Sequence, residues 1–172
     1  MKKLSQLLVL TFILFCLVGI SYSKNENKIE GAFGYTLGNV LEIPEWYENA
    51  YTFELEKDFR LFKGGILWIT PKTKRIYRII VSGGVDYLSE GREEQRVLIS
   101  LLNGKYGEKG KKLFKDIGRI STMKKDNIRV IIGISGSHEF SVDIIYTDME
   151  LEKLAEEERI ELETQDVDIN ML

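Results

Sequence analysis

An α+β domain, an antiparallel sheet with helices on one face, follows from three observations. Residues 66–70, 76–82 and 128–134 are short runs rich in β-branched and aromatic side chains. The spacers that join neighbouring runs are turn-rich and too short for a crossover helix, so the strands pair antiparallel. Two further segments, EGREEQRVLISLLNGKYG and the acidic stretch after Thr147, carry helical rather than alternating spacing. Three strands precede each helix, so the plan reads as β-β-β-α twice, a possible tandem repeat.

The first 23 residues, MKKLSQLLVLTFILFCLVGISYS, have the pattern of a secretory signal peptide. Lys2 and Lys3 supply the charge, residues 7–20 are apolar or nearly so, and Ser21 and Ser23 suit a cut after Ser23. The run falls short of the roughly 20 residues that a membrane span needs. The mature chain is therefore expected to be periplasmic or secreted and not membrane-spanning, with an uncleaved anchor as the alternative. Cys16 is the sole cysteine and lies in the leader, where the bulky Phe15 before it argues against lipidation. A mature chain without a thiol forms no disulfide and no thiolate metal site.

Residues 24–163 are read as one domain and 164–172 as a flexible tail. Cleavage after Ser23 shortens 172 residues to 149, enough for a hydrophobic core, and loss of the two leader lysines moves the net charge from −3 to −5. An acidic exported chain is a poor match for nucleic acid. The basic stretch 105–125 and the acidic stretch 148–168 are read as solvated surfaces.

Within the domain, residues 25–30 form a polar entry. Tyr51, Phe53 and Leu55 alternate with Thr52, Glu54 and Glu56 as in a half-buried strand. Gly64 and Gly65 are expected to break the chain. Pro71, Lys72, Thr73 and Lys74 carry turn chemistry between 66–70 and 76–82, which predicts a hairpin. In the first helix Val97, Leu98, Leu101 and Leu102 mark the inner stripe, with Glu and Arg opposite. Gly104 costs about 1 kcal/mol in a helix interior, so the helix ends near Asn103 or accepts that cost and stops at Gly107. A strand at 119–123, a turn at 124–127 and a strand at 128–134 come next. A turn of Ser135, Gly136, Ser137 and His138 then leads to a strand with Phe140, Val142, Ile144 and Tyr146 on one face. Thr147 and Glu150 have capping-box spacing and start the last helix, with Leu151, Leu154, Ala155 and Glu158 inward.

The glycines of GAFGYTLG (Gly31, Gly34 and Gly38) do not make a cofactor loop. A dinucleotide site needs a strand before the loop and a helix after it, and a phosphate loop needs Lys followed by Ser or Thr. The loop is instead expected to permit unusual backbone angles or close packing, with Phe33, Leu37, Val40 and Leu41 buried. Ser135, Ser137, His138 and Asp143 lack the G-x-S-x-G elbow, and turn chemistry accounts for them without catalysis. His138, the one histidine, has no ligand partners at metal spacing. No catalytic residue, metal or cofactor is assigned. Aromatic side chains at 46–68 are the best recognition candidates, and the binding set is Trp46, Tyr47, Phe62 and Trp68, with Phe53 read as core.

Four stretches taken together, GAFGYTLG, ITPKTKRIYRI, LLNGKYG and IYTDMELEKLAEEE, resemble a family of small exported bacterial α+β proteins to which no activity is assigned. The resemblance covers most of the mature chain and implies an exported α+β domain. It carries over no catalytic residue. It also implies a cysteine pair in some relatives, which this chain lacks. The expected function is non-enzymatic binding of a protein or cell-envelope component. A small-ligand or glycan binder using the aromatic cluster is the alternative, and a hydrolase is third.

Overall fold

The computed structural model describes residues 28–43, 49–107 and 113–165. The leader, Trp46, Tyr47 and residues 166–172 lie outside them. A small hairpin, β1 (Gly31–Ala32) and β2 (Tyr35–Thr36), comes first. A meander of β3 (Ala50–Phe59), β4 (Phe62–Ile69) and β5 (Ile76–Val85) leads into helix α1 (Leu88–Tyr106). A second meander of β6 (Lys115–Ile117), β7 (Ile120–Lys125), β8 (Ile128–Ser135) and β9 (Phe140–Asp148) leads into α2 (Met149–Gln165).

The meanders form one antiparallel seven-stranded sheet in the order β3-β4-β5-β9-β8-β7-β6. The joint between them is the long β5–β9 pairing, from Arg78 opposite Thr147 to Val85 opposite Phe140. Side chains alternate across the pleat, so the register sorts them into two faces. One cross-strand row runs Leu67, Ile79, Tyr146, Val130, Met123, and all five are buried. Each contributes on the order of 1.5–3 kcal/mol by leaving water. The next row on the opposite face runs Ile66, Ile80, Ile145, Ile131. The hairpin expected at 66–82 and the strands expected at 128–134 and 140–146 are therefore present.

Helix α1 lies over the buried face. Gly91 makes this approach possible, since a Cβ there would stand 3.2 Å from Cγ2 of Ile134. The helix runs through Gly104 and ends when the Gly107 N–H donates to the Asn103 carbonyl at 2.9 Å. Its inner face is more polar than the spacing predicts. Leu98 is buried but Leu101 is exposed, and Glu94 and Gln95 are buried. Gln95 Nε2 donates toward the carbonyls of Arg119 and Ile132, each at 3.2 Å, and toward Ser121 Oγ at 3.3 Å. Glu94 accepts from Nε and Nη2 of Arg60, in the β3–β4 turn, the second contact at 2.7 Å. Partners on other strands, absent from any local pattern, bring these two side chains inward.

Helix α2 packs on β5 and β9 near the β4–β5 turn. Its cap is Asp148, whose Oδ1 accepts the N–H groups of Glu150 and Leu151 at 3.0 and 3.1 Å. The expected cap, Thr147, is instead buried in β9. The helix continues past residue 163 to Gln165, into the expected tail, and Thr164 Oγ1 donates back to the Ile160 carbonyl at 2.7 Å. The element order is the βββα plan with β1, β2 and β6 added, and it does not establish a tandem repeat. The helices are not equivalent, and they do not share one face as expected: α1 lies over the Ile79 and Val130 face, whereas Glu152 of α2 bonds Arg78 and Arg129, whose positions in the ladders place them on the opposite face.

Gly64 and Gly65 do not break the chain. They lie inside β4, where Phe53 pairs with Gly65 and places its ring over it, Cζ 2.9 Å from where a Cβ would be. The aromatic ring supplies the packing that the glycine lacks.

Candidate binding cavity

Helix α1 does not cover the whole buried face. Toward β3 the β1–β2 hairpin takes over, and a cavity of about 810 Å³ lies between the two. The hairpin is built by Phe33 and Gly34, with φ of 55° and 87°. Both central residues are left-handed, as a two-residue hairpin turn that follows strand twist requires. Gly31 meets the Tyr35 carbonyl so closely that no Cβ fits. GAFGYTLG is thus a close-packed hairpin, as the absence of phosphate-loop parts suggests. Phe33 and Leu37 pack against the core. Val40, expected to be buried, is 62% exposed, because its backbone bridges to Arg75 at the margin of the fold.

The turn anchors the hairpin through its rings. Phe33 stands 6.0 Å from Phe59, 6.4 Å from Phe62 and 6.3 Å from Tyr146, and Tyr35 stands 4.7 Å from Phe53. Such pairs add about 0.5–1.5 kcal/mol each beyond area burial. Leu98, Leu101 and Leu102 of α1 form one wall, Ile144 and Tyr146 the floor, and Leu55 and Phe59 the far wall. Glu54, Glu56 and Lys57 bring charge to the β3 side, and Lys105 brings it to the α1 side.

Two tyrosines stand out in this lining. Tyr106 and Tyr146 both line the cavity and are 3% and 4% exposed as residues. Burial, and behind it the neighbouring Tyr106 phenol, holds Tyr146 well above the ordinary tyrosine pKa, so it stays a neutral donor. A bound polar group that reaches these phenols would meet hydrogen-bond donors.

Of the four expected binding aromatics, Trp46 and Tyr47 lie outside the described residues, and Phe62 and Trp68 do not share a surface. Phe62 is 0% exposed and belongs to the core, so it forms no part of a surface. Trp68 is half-buried on the opposite face of the sheet, with the Arg78 guanidinium 6.0 Å from its ring centroid. It lines a smaller cleft with Tyr77 and Glu152. Sequence reasoning missed Tyr106, Tyr146 and Phe33, which meet only through the fold. The signal that was available is the Phe33-Gly34 pair between Ala32 and Tyr35, a two-residue loop with glycine second.

The serine and histidine turn divides into two groups. Ser137 Oγ lies 3.2 Å from Nδ1 of His138. Ser135 Oγ contacts Ser141 Oγ at 2.6 Å and donates to Asp143 at 3.1 Å. Among the described residues no hydrogen bond links His138 to Asp143, and no group of three or more His, Cys, Asp or Glu side chains could hold a metal ion. No described helix is long and apolar enough to cross a membrane.

The opposite face carries the second notable surface. Ile66 is 37% exposed, and Ile80, Ile145 and Ile131 beside it are half-buried. Arg78 and Arg129 flank this row on one side, and Ser82 and Asp143 on the other. Comparison with known proteins adds no relative, since no family model, no curated protein and no solved structure matches the chain.

Proposed function

We propose that this chain is an exported, non-enzymatic binding protein whose ligand is a small, mainly apolar molecule held between α1 and the β1–β2 hairpin. The observation that carries this reading is the cavity of about 810 Å³, lined by Leu98, Leu102, Phe59 and Ile144, with the side chains of Tyr106 and Tyr146 beside them. Its size lies within the range of roughly 300–1,000 Å³ typical of ligand pockets. The signal-peptide pattern of residues 1–23 supports export. The test is titration with N-phenyl-1-naphthylamine, a neutral apolar dye that brightens on leaving water. Its fluorescence should rise with the protein, and Leu101→Arg, at an exposed position on the wall, should weaken binding about ten-fold. Unchanged dye fluorescence would reject the cavity as a ligand site.

A second reading, a protein partner on the open sheet face, is favoured by the isoleucine row. The partner that best matches it is another copy of the chain. A two-fold axis along the row would set the isoleucines of the two copies against each other, while Arg78 and Arg129 stay held by Glu152 of their own α2. Sedimentation should then show a dimer that Ile80→Asp abolishes, and a strictly monomeric chain at high concentration would exclude it.

A further inference from the structure

We infer that the cavity, if it binds ligands as proposed above, selects an aliphatic carboxylic acid, with the Tyr106 and Tyr146 hydroxyls donating to the carboxylate and Lys105 supplying the countercharge. The lining is divided by chemistry. Leu98, Leu102 and Ile144 offer a chain only apolar contact. The polar groups on the α1 side are donors and cations. Tyr106 and Tyr146 line the cavity with phenols, and Lys105 Nζ stands 5.0 Å from the Tyr106 ring centroid. The C-terminus of α1 itself would oppose an anion, because carbonyls point out of it. That opposition is reduced here, since Lys125 Nζ donates to the Tyr106 carbonyl at 2.9 Å.

The β3 side has the reverse character. Glu54 and Glu56 line the cavity there, against one cation, Lys57. An anionic head is repelled from that wall and attracted to the other, so the arrangement also sets the direction in which an acid enters. A carboxylate accepts two hydrogen bonds from the phenols, and charge-assisted bonds of this kind are roughly twice as strong as neutral ones. A methyl ester of the same chain keeps the apolar contacts and loses the charge. An amine carries the wrong sign for Lys105.

The test uses submicellar dodecanoic acid, its methyl ester and dodecylamine as competitors of N-phenyl-1-naphthylamine. The acid should displace the dye about ten-fold more tightly than the ester, and the amine should be weakest. Tyr146→Phe and Lys105→Met should each weaken the acid about ten-fold, a larger loss than either causes for the ester. Dye that still binds each variant, together with an unaltered thermal melt, shows that the cavity is folded. Bound dye with equal displacement by acid and ester would overturn the carboxylate assignment alone. Dye that fails to bind the wild type would overturn the cavity reading and this one with it.

Discussion

Helix α1 meets the sheet through Leu98, Gly91 and the amide of Gln95, whereas α2 meets it through the carboxylates of Glu152 and Glu158. Glu158 is buried, accepting the Lys72 N–H at 2.6 Å, the Thr73 N–H at 3.2 Å and the Thr73 hydroxyl at 2.7 Å. It thereby closes the β4–β5 turn from a helix far along the chain. Glu152 bonds Arg78 and also Arg129, the latter at 3.0 Å, and so bridges the two strands that flank β9. Two helices in like positions of the sequence are thus attached by different forces. Apolar contact tolerates many side chains but demands a fit, as at Gly91. Carboxylate contact demands particular donors, and the turn that supplies them must keep its shape.

The sharpest way to break this comparison is at Leu98. Leu98→Ala should cost about 2–5 kcal/mol of stability, because the sheet beneath cannot collapse into the space, and chemical denaturation will measure it. A loss under about 1 kcal/mol would mean that α1 is held mainly by Gln95 and Glu94. Next in size is Glu158→Ala. It leaves two backbone donors and a hydroxyl of the turn without their acceptor and should cost about 1–3 kcal/mol. Hydrogen exchange should show the change at α2 and at residues 70–75, with α1 untouched. Protection lost equally at α1 would show that the helices dock as one unit.

The smallest effect is at alkaline pH and belongs to the α1 side. Tyr146 has a folded pKa raised by burial above its unfolded value of about 10. The unfolded chain therefore releases this proton first. The contribution is fully present below about pH 10 and is lost as pH rises toward the folded value, with a slope of at most about 1.4 kcal/mol per pH unit. Tyr146→Phe should remove that share of the alkaline slope in denaturation curves taken from pH 8 to 11. An unaltered slope would mean that Tyr146 is not the buried phenol responsible.

Local chemistry made much of the sheet readable. Pro71 to Lys74 carry their own turn signal, and residues 128–134 are β-branched enough to be a strand in any context. The helix limit at Gly107 was one of two readings of a glycine cost, and tertiary contact beyond Asn103 decided between them. What was not readable depends on partners far along the chain. Glu94 looks solvated until Arg60 is brought beside it, and Gly65 looks like a break until Phe53 covers it. Phe33 gave little warning, because an aromatic residue seldom adopts φ of 55°. The cavity was hidden for the same reason, as its walls come from β1–β2, β3, α1 and β9. Trp68 and Phe62, six residues apart in one strand, look alike in a count of aromatics, yet Trp68 is half-buried on the face opposite Leu67 and Phe62 is fully buried.

The central place of the β5–β9 pairing has a consequence for synthesis. Strand β5 ends at Val85 and its partner begins at Phe140, so a ribosome that has released the first meander has not yet made the strand that completes its edge. The nascent first half therefore presents a β-branched edge, with Ile79, Ile80 and Val81 unpaired, for as long as the later residues take to emerge. Free edges of this kind recruit other chains, and pairings so distant in sequence form late. A chaperone that holds the chain extended until it is complete would shield that edge, and a truncation after α1 should aggregate rather than fold as half a sheet.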